Sequence, residues 1–302
     1  MESMISIIIP VFKEPFLNKT IKSLLESSTS EIEIIPVIDG YELEYPLLKD
    51  KRIKPIYLKE TKGMRNAINT GIRESGGEYI MKCDAHCLFG TGYDKILSES
   101  CKENWLMIPR RYSLDGENWK RDLTRPFKDY HYLNFPSVSH YGLYMGPFNY
   151  GGKGPDIDDT MSFQGSCWLA NKEYFMEHVG FLDDRLETYG TFPQEQQEIG
   201  LKYWLGGGAV KVNKNAWYAH LSKRKEHYAK RLFSRVYKKN RHIVCNNTWA
   251  ALHWINNEEP NMIHSFSWLI KKFSPVPRWS ENWEEELKKI YEKYSNTPNP
   301  KP

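Results

Sequence analysis

Glu78-Tyr-Ile-Met-Lys-Cys-Asp-Ala-His-Cys87 is the stretch on which the reading of this 302-residue chain turns. Tyr79 and Ile80 favour an extended backbone, and the run ends on Asp84 and His86. Strand side chains alternate faces, so residues two apart point the same way. A carboxylate and an imidazole therefore emerge side by side where the strand runs out. That pair suits a divalent cation that also takes oxygen ligands from a phosphate. Cys83 and Cys87 bracket the pair, either as soft ligands or as small core residues.

The segments before it alternate in type. Met4 to Ile9 is short, β-branched and apolar, the pattern of a buried parallel strand, and Pro10 to Glu14 leaves it as a loop. Pro15 to Ser28 follows with Leu17, Ile21, Leu24 and Leu25 on one helical face. Ile32 to Ile38 is a second strand ending on Asp39-Gly40, Ile53 to Leu58 a third, and Lys62 to Ser75 a second helix. Strands alternating with helices predict an α/β chain with a mostly parallel sheet. Ligands then bind beyond the carboxyl ends of the strands, where Asp39 and Asp84 both lie. No glycine follows the first strand, so a dinucleotide-binding G-x-G-x-x-G turn is excluded.

The totals set wide bounds. A formal net charge of +4 is mild, and five cysteines without a CxxC pair argue for a reducing compartment rather than a disulfide framework. Ile5 to Ile9 is too short for a signal core or membrane span, which predicts a soluble, cytoplasmic protein with no membrane partner.

Four linked segments carry a resemblance: Ile9-Pro-Val-Phe-Lys-Glu14, Val37-Ile-Asp-Gly40, Gly63-Met-Arg-Asn-Ala-Ile-Asn-Thr-Gly71 and Gly77-Glu-Tyr-Ile80 running to Asp84-Ala-His86. In order and spacing they are similar to the opening half of the nucleotide-sugar glycosyltransferases of the GT-A fold, the large family-2-like group. Most of that group carry Asp-x-Asp at the metal. Asp-Ala-His-Cys resembles the polypeptide N-acetylgalactosaminyltransferases instead. The resemblance implies a GT-A (Rossmann-like) mixed sheet, mostly parallel and flanked by helices, and a UDP-sugar donor. It implies donor-binding roles for Pro10, Phe12 and Glu14, with Asp39 at the uracil ring and Arg65 near the diphosphate or the Asp cluster. Asp84 and His86 would hold Mn²⁺ or Mg²⁺. On this reading residues 1–105 form the nucleotide-sugar half, 106–221 the acceptor half and 222–302 a C-terminal extension, basic at first and then helical.

The second half is read the same way. Trp105 to Pro109 is a strand, and 110–150 is expected to be irregular. Gly146 to Thr160 is rich in turn formers, as a lid, an acceptor loop or a plain connection. A kink at Gly165-Ser166 precedes a helix start near Asn171. The resemblance places Gly165, Trp168 and Tyr189 on the acceptor side, with Trp168 either stacked on a sugar or in the core. Glu195-Gln-Gln-Glu198 resembles the segment where inverting relatives carry Glu-Asp, the Asp serving as base. An amide is no proton acceptor for catalysis, so Gln196 cannot fill that role. Either Glu195 takes it or no base is needed. Ala209 to Ala219 reads as a strand delivering His220, which the resemblance makes the third metal ligand.

Segment 221–242 departs from the resemblance. It carries nine lysines and arginines against one acid, Glu226. Such a run would close over the donor diphosphate, grip a polyanionic acceptor such as nucleic acid, or simply be solvated. The reading is therefore a metal-dependent glycosyltransferase, retaining in stereochemistry, whose acceptor could be a hydroxymethylated pyrimidine in DNA. A metal-dependent phosphohydrolase and a nucleic-acid-binding protein on an inactive transferase scaffold are the alternatives. The sugar, the acceptor and the oligomeric state stay open.

Overall fold

A computed structural model describes residues 3–136, 142–148, 154–191, 194–222 and 247–295. The first half alternates as its sequence predicts: β1 (Ile5–Val11), α1 (Leu17–Ser27), β2 (Ile32–Ile38), β3 (Ile56–Tyr57), α2 (Met64–Glu74) and β4 (Tyr79–Cys83). There follow β5 (Cys87–Phe89), α3 (Tyr93–Ser100), β6 (Trp105–Asp115), β7 (Lys120–Asp122), β8 (Tyr130–Leu133), β9 (Met145–Phe148), β10 (Ile157–Asp159) and β11 (Cys167–Asn171). The chain continues through α4 (Lys172–His178), α5 (Glu195–Leu205), β12 (Ala209–His220), α6 (Asn247–Ile255), α7 (Phe266–Lys272) and α8 (Trp283–Ser295).

The main sheet runs β10-β12-β6-β11-β4-β1-β2-β3, with β5 added on β12 and β7 on β6. β1 is parallel to β2 and β4, β2 to β3, and β12 to β6. β11 is inserted antiparallel between β4 and β6, so the two flanking parallel blocks point the same way. The carboxyl ends of β1, β2, β4, β6 and β12 consequently share one edge, and the N-terminal end of β11 meets them there.

Both faces of this sheet are covered, as apolar strands require. On β1 the pleat sends Ile8 to one core with Ile68, Ile72, Leu106 and Trp168, and Ile5, Ile7 and Ile9 to the other with Leu17, Ile21, Leu24 and Met107. The helices after residue 246 join the first core through Ala250, Trp254, Phe266, Leu269 and Leu287. Trp279 fastens the extension further, its indole N–H donating to the Leu133 carbonyl at 2.7 Å. Residues 247–295 thus pack on the body, as the apolar residues of the extension lead one to expect.

Two expectations need correcting. The third strand is reduced to Ile56–Tyr57 with an isolated bridge from Ile53 to Ile34. The described part of 110–150 holds the second half of β6 and all of β7, β8 and β9, where an irregular segment was expected. β7, β8 and β9 are three or four residues long, too short to display a period. β10 likewise falls inside the turn-rich 146–160, of which 149–153 lie outside the described residues. The helix start near Asn171 is as read, the Asn171 side chain accepting from the Tyr174 N–H at 3.0 Å. Among the described residues no helix is long and apolar enough to cross a membrane.

The contact between α2 and β1 is set by a missing side chain. A Cβ on Gly71 would stand 2.4 Å from Cγ2 and 3.0 Å from Cγ1 of Ile8, a fully buried neighbour. Gly71→Ala gains about 1 kcal/mol in helix propensity but overpacks the core, which typically costs about 1–3 kcal/mol. We expect a net loss of stability in urea unfolding, and a larger one for Gly71→Val, which gains less from propensity. A stabilised Gly71→Ala protein would show that α2 can back away from β1.

Candidate metal centre

β4 delivers Asp84 to the shared edge, where the Asp84 N–H donates to the Ser166 carbonyl at 3.0 Å. His86 follows at the start of β5. Pairing of β5 with β12 sets Cys87 opposite His220, and the Leu221 N–H closes on the His86 carbonyl at 3.2 Å. Residues 134 positions apart in sequence are brought together by this strand pair. His220 Nε2 lies 3.0 Å from Asp84 Oδ2, and His86 Nε2 is 3.9 Å from the same oxygen. The ligand atoms of Asp84, His86 and His220 all lie within 4.8 Å of one another.

Each imidazole is held from behind. The Glu14 carboxylate is 3.2 Å from His86 Nδ1. A carboxylate only accepts here, so it keeps the proton on Nδ1 and turns the lone pair of Nε2 to the centre. Arg111 Nη2 is 3.3 Å from His220 Nδ1. A guanidinium only donates, so Nδ1 accepts and the proton sits on Nε2, shared with Asp84. A cation at His220 must compete with that proton.

The charges follow from these contacts. Burial works against the Asp84 charge, but Lys82, the hydrogen bond from His220 and the nearness of His86 hold its carboxyl well below the usual range. Burial, aided by His86 and Arg111, pushes His220 down to about 3 despite its bond to Asp84, so the ring is neutral. The opening to solvent is at the carboxylate: the Asp84 side chain is 25% exposed, those of His86 and His220 4% and 9%.

On the other side of Asp84 stands a residue the sequence reading passed over. Lys82 is 1% exposed, and its Nζ lies 2.7 Å from Asp84 Oδ1, 2.6 Å from the Gly165 carbonyl and 3.4 Å from Glu195 Oε1. Burial alone would lower its basicity, yet the Asp84 and Glu195 carboxylates more than offset this and keep it protonated. Its signal was a lysine in an otherwise apolar strand, two residues before Asp84. Glu195, in the first turn of α5, is itself buried, and its Oε1 would be 2.1 Å from a Cβ on Gly165. Only glycine lets that carboxylate into place. Gln196 is half-buried beside it.

Other expected site residues lie elsewhere. Asp39 ends β2 at the same edge and accepts from the N–H groups of Lys62 and Gly63 at 2.7 and 2.9 Å, tying the start of α2 to the strand. Pro10 and Phe12 are partly exposed there, Phe12 edge-on to Tyr41 with centroids 5.7 Å apart. Glu14 backs His86.

Three of the expected site residues lie in the interior. Arg65 is fully buried: it pairs with Glu198, donates to the Asp183 carbonyl at 2.7 Å and stacks 4.4 Å from the Tyr189 ring. Tyr189 is buried between Arg65 and the edge of Trp249. Trp168 is fully buried and stacked on Phe175, 5.4 Å between centroids at 6°, so no sugar can reach it. Cys83 and Cys87 are core residues whose thiols burial pushes up, which disfavours the thiolate a metal needs. The basic run falls almost wholly within 223–246, outside the described residues.

The chain resembles known proteins in sequence and in fold. The family described as Glycosyl transferase family 2 matches residues 6–179. Over 222 residues the chain is 23% identical to the Probable N-acetylgalactosaminyltransferase 7 of Caenorhabditis elegans, covering 65% of this chain and 34% of that one. Over 227 residues it is 24% identical to the Polypeptide N-acetylgalactosaminyltransferase 18 of Homo sapiens, covering 70% and 34%. The chain thus spans about a third of the length of these curated relatives. A crystal structure of GalNAc-T7 with UDP, GalNAc and Mn²⁺ superposes with a TM-score of 0.59 at 17% identity, over 73% of this chain and 44% of that one, which establishes a common fold.

The placement of Arg65 generates a test. Removing one member of a buried ion pair typically costs about 3–5 kcal/mol, because the other charge is stranded. Lys202 also reaches Glu198, at 3.0 Å, and moderates the loss. Arg65→Met should therefore lower the urea midpoint sharply, while the folded fraction keeps its affinity for a nucleotide ligand. Weakened nucleotide binding at unchanged stability would restore Arg65 to the donor site.

Proposed function

The chain belongs to glycosyl transferase family 2, and on that premise we propose that it transfers a sugar from a UDP-linked donor to a hydroxyl acceptor, with Mn²⁺ or Mg²⁺ at Asp84, His86 and His220. The observation that carries this reading is the convergence of one carboxylate oxygen and two imidazole nitrogens within 4.8 Å. These residues fit such an ion: the donor set is one that divalent metals accept, its His86 nitrogen is turned inward by Glu14, and it opens to solvent at the carboxylate. Held by these three residues, such an ion would supply positive charge to offset what develops on the leaving diphosphate.

The remaining roles follow from position along the same edge. Asp39, pinned by two backbone N–H groups, offers a carboxylate oxygen to the uracil N–H, and Pro10 and Phe12 line the base beside it. Gln196 holds no proton acceptor of use, and Glu195 is enclosed and engaged by Lys82. With neither side chain free as a base, retention of configuration is favoured: the acceptor hydroxyl attacks from the face that the diphosphate leaves, and a departing phosphate oxygen takes its proton. The nine cations of 221–242 favour a polyanionic acceptor, because lysine and arginine contacts to phosphates supply most non-specific affinity for nucleic acid. An ordinary base lacks a suitable hydroxyl, which points to a hydroxymethylated pyrimidine in DNA. Buried, unpaired Cys83, Cys87 and Cys167 accord with a reducing cytoplasm.

The metal centre and the product are tested separately. Asp84→Ala and His86→Ala should reduce UDP-sugar hydrolysis and transfer by about a hundredfold or more, and His220→Ala should demand much higher metal concentrations, since ligands act as a unit. His86→Ala and His220→Ala should melt within a few degrees of the parent and Asp84→Ala lower, because it strands the buried Lys82 ammonium; full activity in excess EDTA would reject a metal-dependent reaction. For the product, proton NMR of hydroxymethylated duplex DNA treated with UDP-sugars should show the anomer of the donor. Binding to that duplex should fall steeply with salt, with a flatter slope in Lys238→Ala/Lys239→Ala/Arg241→Ala. The opposite anomer with an inactive Glu195→Gln protein would make Glu195 the base. Absence of DNA affinity at low salt would leave the basic run to the donor.

A further inference from the structure

Lys82 lies near the end of β4 and Asp84 directly follows its last residue, two positions on, and the two side chains meet. Lys82 wins one oxygen. Its ammonium spends its three N–H groups on Asp84 Oδ1, the Gly165 carbonyl and Glu195 Oε1, at 2.7, 2.6 and 3.4 Å. The two imidazoles face the other oxygen, Oδ2, at 3.0 and 3.9 Å. The carboxylate is thereby divided, one oxygen inward to a fixed cation and one outward to the centre. Glu195, the second carboxylate within reach of Lys82, is turned inward by the same ammonium and boxed in by Gly165.

From this division, and resting on the metal reading above, we propose that Lys82 is a positioning residue that restricts the centre to one carboxylate oxygen and two imidazole nitrogens. Two physical consequences follow. The fixed positive charge beyond Asp84 opposes a dication, so the ion is held weakly and exchanges readily. The oxygen-poor donor set discriminates against Mg²⁺ and Ca²⁺, hard ions that take most or all of their ligands as oxygen, relative to Mn²⁺, which stands higher in affinity for nitrogen. Without Lys82, Asp84 would be free to offer both oxygens and Glu195 would add a third, a harder and more negative site. A lysine that merely fills the core predicts the reverse, a site damaged by its loss.

The test is metal binding by the full chain without nucleotide, read from the electron paramagnetic resonance of free Mn²⁺, with Mg²⁺ and Ca²⁺ as competitors. Lys82→Met keeps the stem and removes the charge, and should bind Mn²⁺ about tenfold or more tightly while losing discrimination against Mg²⁺ and Ca²⁺. Lys82→Arg, which keeps the charge, should stay near the parent. Unchanged or weaker binding in a folded Lys82→Met protein would overturn the proposal. Should that variant not fold, Glu195→Gln decides: Mn²⁺ affinity within about twofold of the parent supports a withdrawn Glu195, and a tenfold loss overturns it. Parent protein that binds no Mn²⁺, or binds it equally well as His220→Ala, overturns the metal centre itself and this inference with it.

Discussion

The ion pair between Lys82 and Asp84 is the interaction around which this molecule is arranged. Placing an ammonium in an interior strand is costly unless its charge and all its donors are matched. Here the matching groups come from three separate elements: the end of β4, the turn before β11 and the first turn of α5. Each is fixed in turn by the requirement to satisfy Lys82. The turn at Gly165 must expose its carbonyl and carry no side chain, α5 must begin with a carboxylate pointing inward, and Asp84 must hold one oxygen in and the other out.

Sheet topology supplies the rest of the centre. Because β11 runs antiparallel between two blocks of common direction, β4 and β12 discharge onto one edge even though β11 and β6 lie between them. The short strand β5 then crosses that gap and pairs with β12, which carries His86 to His220. Glu14 and Arg111, from the loop after β1 and from β6, complete the support behind the rings. A centre assembled in this way uses backbone pairing for distance and outer side chains for orientation. The residues beneath it, Arg65 with Glu198 and Tyr189, are a second buried charge network that fixes α2 against α5.

Much of this was legible in the chain itself. Largely apolar runs gave away β1 and β2, Tyr79 and Ile80 gave β4, and Asp-Ala-His at a strand end gave two of the three clustered residues. His220 came from the resemblance, which puts a histidine at the end of the strand that follows the Glu195 helix. What stayed hidden depends on tertiary packing. Trp168 and Tyr189 are aromatic residues next to glycine or small residues, and nothing local separates a ring that stacks on Phe175 from one that would stack on a sugar. Arg65 reads as a solvated helix residue until α5 brings Glu198 against it. Lys82 breaks an apolar strand pattern and could have been flagged on that ground, since a lysine inside such a strand must have an acidic partner. The short strands of 110–150 are stabilised by their neighbours and have too few residues to announce themselves.

The central claim is that Asp84, His86 and His220 hold an ion through which the donor diphosphate is bound. Calorimetric titration of UDP into the chelator-treated chain, with and without Mn²⁺, addresses it most directly. The account predicts that Mn²⁺ and UDP each tighten binding of the other by the same factor, as thermodynamic linkage requires, and that this coupling vanishes in His220→Ala. UDP affinity that is the same with and without Mn²⁺ in the parent protein would contradict it.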